Sequence, residues 1–246
     1  MRKYLLLIMA IGMLIYTAKG QNMESIQGKH QGVVTKEVKV RYLITLPSEY
    51  DENSKELWPM LVFLHGSGER GDHLEMLKVH GPLKHVENGE NYNFIILAPQ
   101  CPVNEDFDSE TVFSLIQEIA ETYKVDKDRI YVTGLSMGGA ATWDLAMLHP
   151  DYFAAIAPVC GYVNRNYPFK AEALKHLPIW VFHGANDNVV PVHMEANMIS
   201  ALTSHGNNVK FTIYPTANHD AWTETYSNPA FYEWLLKQKR GMKPSY

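Results

Sequence analysis

Cysteine is scarce in this chain. Cys101 and Cys160 are the only two in 246 residues, so at most one disulfide could staple the fold. Whether the two meet depends on geometry that their spacing does not show, and buried free thiols are the alternative. Basic clusters and stripes are absent and the formal charge is −5, which excludes the electrostatic footprint of a nucleic-acid binder. No internal repeat or low-complexity segment breaks the chain. Its 46% apolar and 20% charged residues are the composition of a folded domain, and its length suits one domain with a sizeable core.

Apolar runs long enough to cross a membrane are lacking too. Tyr4 to Tyr16 is apolar but for Gly12, which is short of the roughly 18 residues a span needs. Arg2 and Lys3 precede it, and Ala18-Lys19-Gly20 follows as a small-x-small site. Residues 1–20 therefore read as a signal peptide, with 21–246 as one domain, secreted or periplasmic and without a stable membrane span after cleavage. Cleavage would remove Arg2, Lys3 and Lys19 and no acidic residue. No cysteine directly follows the apolar run, so lipid attachment has no acceptor thiol.

What is present alternates between two periods. Val33 to Leu46 alternates as an antiparallel pair or one long strand. Pro59 to His65, Phe94 to Leu97, Ile130 to Val132, Tyr152 to Val159 and Ile179 to Phe182 are short apolar runs, as in strands buried on both faces, and Val209 to Tyr214 reads as a further strand. Between them, Val112, Leu115, Ile116, Ile119 and Ala120 recur at helical spacing. Further helices are expected after Gly139 through about Leu148, from Val192 to Leu202, and around Phe231, Trp234 and Leu235. Strands alternating with helices predict an α/β fold with a mainly parallel sheet, whose chemistry belongs beyond the carboxyl ends of the strands.

One such strand end carries Gly134-Leu135-Ser136-Met137-Gly138-Gly139, the G-x-S-x-G pattern. It lies between a predicted strand and a predicted helix, the context in which a sharp turn lifts a serine hydroxyl above a sheet. A hydroxyl needs a base, and a base working near neutral pH points to histidine. Of eleven histidines, His219 follows the last strand and lies downstream of a suitable acid. His149, His176, His193 and His205 lie in or beside helices, and His65 and His183 end buried strands as neighbours of the site. Asp187, after the strand Ile179 to Phe182, is the candidate acid that orients the imidazole. Asp220 is its rival, although adjacent side chains rarely face each other.

Acyl transfer also needs N–H donors for the oxyanion. Met137, after the serine, and Ser67, in the loop His65-Gly66-Ser67-Gly68-Glu69-Arg70-Gly71, are the candidates. The same loop matches the dinucleotide fingerprint G-x-G-x-x-G. That reading needs an acidic residue closing a second strand, whereas Glu87 and Glu90 precede Phe94, so it is set aside.

Together with Ala98-Pro99-Gln100-Cys101-Pro102, His183-Gly184-Ala185-Asn186-Asp187 and His219-Asp220-Ala221-Trp222, these segments resemble bacterial esterases near the prolyl-oligopeptidase and dienelactone-hydrolase branches of the α/β-hydrolases. The group includes feruloyl and acetyl-xylan esterase-like proteins. The resemblance runs from about residue 33 to the end. It implies an eight-stranded, mostly parallel sheet with helices on both faces and a first antiparallel hairpin. It implies the triad Ser136, Asp187 and His219 with donors Ser67 and Met137, and no metal or cofactor. It also implies that the strands before Cys101 and Cys160 are not neighbours, hence free thiols. Asn218 departs from the glycine usual before the histidine. The expected activity is hydrolysis of acetyl or hydroxycinnamoyl esters, small or linked to plant polysaccharide. A peptidase on short peptides and a non-catalytic binding protein are the alternatives. Trp222 is placed to line the acyl pocket, with a packed core tryptophan as the other reading. The oligomeric state is not legible.

Overall fold

The computed structural model describes residues 29 and 35–241. Residues 38–246 contain one compact unit, and the expected signal peptide lies outside the described residues. Seven strands run β1 Arg41–Thr45, β2 Trp58–Leu64, β3 Ile95–Gln100, β4 Val125–Leu135, β5 Ala155–Val159, β6 Trp180–Gly184 and β7 Lys210–Tyr214. Six helices accompany them: α1 Gly81–Glu87, α2 Ser109–Thr122, α3 Met137–Leu148, α4 His193–Ser204, α5 Trp222–Tyr226 and α6 Pro229–Leu236. The sheet order is β1-β3-β2-β4-β5-β6-β7, with β1 antiparallel to β3 and every other pair parallel.

The α/β class is the one expected, but the described residues hold seven strands where eight were expected. Val33 to Leu46 yields only β1. Its ladder with β3 runs from Arg41 opposite Gln100 to Thr45 opposite Ile96. Residues 35–40 belong to no strand among the described residues, Pro47 has no N–H to extend the ladder, and 30–34 lie outside the described residues.

Strand alternation sorts the core into two layers. Met60, Val62 and Leu64 face one side of β2, where α2, α3 and α4 bring Ile116, Trp143, Met198 and Leu202. Leu61 and Phe63 face the other side, packed with Leu83 of α1, Tyr226 of α5 and Phe231 and Trp234 of α6. Both faces are thus covered, which explains why β2 and β3 read as unbroken apolar runs. β3 and β5 are separated by β2 and β4, about three strand spacings, so the two cysteines that follow them cannot bridge. Burial pushes the Cys160 thiol up to about 12, and burial likewise raises that of Cys101.

Candidate active site

Every expected site residue lies at the carboxyl edge of the sheet. Ser136 follows β4 with φ 53° and ψ −113°, a conformation that costs a non-glycine residue about 1–3 kcal/mol. The turn persists because its surroundings fix it. Ser136 N–H donates to the Val159 carbonyl at 2.9 Å, and Ala140 N–H to the Ser136 carbonyl at 3.0 Å. Two glycines make this possible. A Cβ on Gly134 would run into the Gly138 backbone, and one on Gly138 into the Leu64 carbonyl, so any side chain there would push α3 off β2.

The turn presents the Ser136 hydroxyl to a single imidazole. His219 Nε2 lies 2.9 Å from Ser136 Oγ, and His219 Nδ1 lies 2.7 Å from Asp187 Oδ2. Asp187 is buried, and its other oxygen accepts the N–H groups of Val189 and Val190, both at 2.9 Å. Burial works to raise its pKa, but the His219 bond and the two backbone donors outweigh it and hold the carboxyl below its usual range. The ionised carboxylate accepts the Nδ1 proton, which leaves Nε2 bare and facing the hydroxyl. Asp220 faces elsewhere, accepting from Thr223 N–H at 3.0 Å and from Thr223 Oγ1 at 2.9 Å.

Of the two expected oxyanion donors, Met137 opens α3, where no carbonyl one turn earlier serves its N–H. Ser67 is exposed at the start of a 3₁₀ turn, Ser67–Glu69. Its amide direction is fixed by the residue before it. His65 Nδ1–H donates to the Gly66 carbonyl at 2.6 Å while His65 Nε2 accepts the Cys101 N–H at 2.9 Å. In a trans peptide the N–H points opposite to the C=O, so the ring that clamps Gly66 O also aims Ser67 N–H. Buried Glu69 secures the same loop by accepting Gly66 N–H at 2.8 Å.

This clamp requires neutral His65, and burial lowers its pKa to about 4. Its folded pKa therefore lies below the ordinary 6.5. Its stabilising contribution is complete above that value and is lost as pH falls to about 4, a change of ~3 kcal/mol. Urea unfolding at stepped pH should show stability falling across this window, with a flatter dependence in His65→Gln. Equal slopes for the two proteins would contradict the clamp.

Trp222 is half-buried at the start of α5, its ring edge-on to His219 at 5.2 Å and to His80 at 5.6 Å. It is therefore both part of the site wall and packed. Sequence reasoning missed the buried pair behind the site. His183 Nδ1 lies 2.6 Å from Glu195 Oε2, with both side chains fully buried. The legible signal was Glu195 itself, which occupies the apolar stripe of α4 with Met198 and Leu202.

Donor atoms of Cys160, His183 and Asp187 lie within 4.8 Å of one another. They suit a metal poorly. The thiol is held protonated by burial, and both His183 nitrogens already face internal acceptors. Among the described residues no helix is long and apolar enough to cross a membrane.

Comparison with known proteins identifies relatives of the chain. The sequence pattern of the dienelactone hydrolase family matches residues 103–233. The chain is 26% identical over 151 residues to a bifunctional acetylxylan esterase/xylanase of Neocallimastix patriciarum, spanning 58% of this chain and 21% of that protein. It is 24% identical over 192 residues to a probable feruloyl esterase C of Aspergillus clavatus, spanning 75% and 69%. A thermostable esterase of known structure superposes with TM-score 0.70 and 31% identity, over 82% of this chain and 60% of that one.

Proposed function

Because the chain belongs to the dienelactone hydrolase family, we propose that it is a serine esterase that cleaves carboxylic esters through an acyl-enzyme on Ser136. The observation that carries this reading is the unbroken line Ser136 Oγ, His219, Asp187 at 2.9 and 2.7 Å, built on a strained turn after β4. His219 Nε2 takes the serine proton as Oγ attacks the carbonyl carbon. The oxyanion rests on the N–H groups of Met137 and Ser67. The imidazolium then protonates the leaving alcohol, and water enters by the same route to release the acid.

The substrates proposed are acetyl or hydroxycinnamoyl esters, small or attached to plant polysaccharide, with Trp222 lining the acyl side. The acetylxylan and feruloyl esterases among its relatives support this class. Export through residues 1–20 fits a polymeric substrate met outside the cell. A panel of acetyl, feruloyl and longer acyl esters, run beside a peptide anilide, tests the reading. Short-chain or feruloyl esters should turn over at least about a hundredfold faster than the anilide, because an amide needs better leaving-group protonation. Preference for the anilide would transfer the site to peptidase chemistry.

A further inference from the structure

The pair behind the site is costly. A buried carboxylate and imidazole lose their hydration, and an apolar residue would fill the Glu195 position on the α4 stripe at no such cost. Its partners show what the pair holds together. Glu195 Oε1 accepts the Trp143 indole N–H from α3 at 3.0 Å, and the carboxylate also takes the Gly161 N–H beyond β5. His183, near the end of β6, places Nε2 2.7 Å from the Val190 carbonyl and 3.3 Å from Asp187 Oδ2. That carboxylate oxygen is the one that faces His219 Nδ1. A carbonyl only accepts, so Nε2 carries a proton. Burial pushes the Glu195 carboxyl up, opposed by the His183 bond and charge and by the Trp143 and Gly161 N–H donors. With His183 Nδ1 at 2.6 Å, the Trp143 indole N–H at 3.0 Å and the Gly161 N–H converging on the carboxylate, the shared proton is assigned to His183 Nδ1.

We propose that His183 and Glu195 are a buried positioning pair. It ties the acid loop 184–190 to the helix that carries the nucleophile, and it sets a doubly protonated imidazole behind Asp187. The inference rests on the triad reading above. The imidazolium adds to the His219 bond and the Val189 and Val190 donors that keep Asp187 ionised, and it holds Oδ2 aimed at His219. The charged or titratable groups around His183 are Asp187 from its own loop, Glu195 from α4, Cys160 from the end of β5 and, beyond Asp187, His219 from the loop after β7. Burial opposes charge on His183, but the Glu195 bond and charge outweigh it and raise its pKa, in line with this arrangement.

Glu195→Gln tests the charge apart from the shape. The amide still accepts from Trp143 and Gly161, and it donates to His183 Nδ1, leaving that ring neutral. Thermal stability and KM for an aryl acetate should stay close to wild type while kcat falls about tenfold. Without a positive ring behind it, the Asp187 carboxylate attracts a proton more strongly, so the acid limb of kcat/KM moves to higher pH. His183→Gln keeps a donor for Val190 without the charge and should shift the limb in the same direction. Unchanged kcat and an unchanged acid limb in both variants would overturn the proposal. If either folds poorly, ¹⁵N-histidine NMR of the wild-type protein decides. Both His183 ring nitrogens should be protonated at neutral pH, and a bare Nδ1 would refute the pair. A fluorophosphonate that fails to label wild-type Ser136 would instead sink the triad reading, so that labelling is read first.

Discussion

Ser136→Ala is expected to fold like the wild type and to lose four to six orders of magnitude in kcat on an activated ester. The substitution removes one oxygen and nothing that holds the turn. The turn is fixed by the Val159 carbonyl, by the Ala140 N–H and by the clearance at Gly134 and Gly138, none of which involves the hydroxyl. Alanine at φ 53° is strained about as much as serine, so the unfolding free energy should change by less than about 1 kcal/mol. The remaining rate would come from water attacking an ester still held against the Met137 and Ser67 amides. Initial rates with a chromogenic acetate, together with a thermal melt, check both halves. Retention of more than a few per cent of wild-type turnover by a folded variant would remove Ser136 from the chemistry.

Asp187→Asn is expected to cost about 10⁴ in kcat with little change in KM. The asparagine oxygen can still accept the Val189 and Val190 amides, which leaves its NH₂ facing His219 Nδ1. Two donors cannot share that position. The imidazole therefore moves its proton to Nε2, where it faces Ser136 Oγ as a donor and no longer as a base. Asp220→Asn is the control. Its carboxylate serves Thr223 at the start of α5, so its loss should change kcat by less than about threefold. A large effect at Asp220 with a small one at Asp187 would exchange the roles of the two acids.

The fold was legible where burial imposes a short period. β2, β3 and β6 read as apolar runs because helices cover both sheet faces, as does the centre of β4, residues 130–132. The charged first half of β4, residues 125–129, was not expected as strand, and α3 ends at Leu148, about where it was expected. β1 was over-read because alternation alone does not say where a partner strand ends. The short helices α1 and α5 went unseen, since five to seven residues give too few turns for a 3.6-residue period to show.

The candidate site residues were legible from chain order, because each lies beyond a strand end: Ser67, Ser136 and Asp187 beyond the buried ends of β2, β4 and β6, and His219 beyond the half-exposed edge strand β7. What the sequence hid is contact across the chain. Nothing local says that His65 grips the Gly66 carbonyl with one nitrogen and the Cys101 amide with the other. Nor does the sequence alone pair Glu195 with His183 and Trp143, 12 and 52 positions away. A glutamate on an apolar stripe is the one visible trace of that network.

Fluorophosphonate labelling followed by peptide mapping bears most directly on the acyl-enzyme. One phosphonyl group per chain should be found, on the peptide that contains Ser136, and it should be absent from the Ser136→Ala protein. A properly folded wild type that takes no label, or that carries it on another residue with the alanine variant labelled equally, would contradict the serine-esterase account.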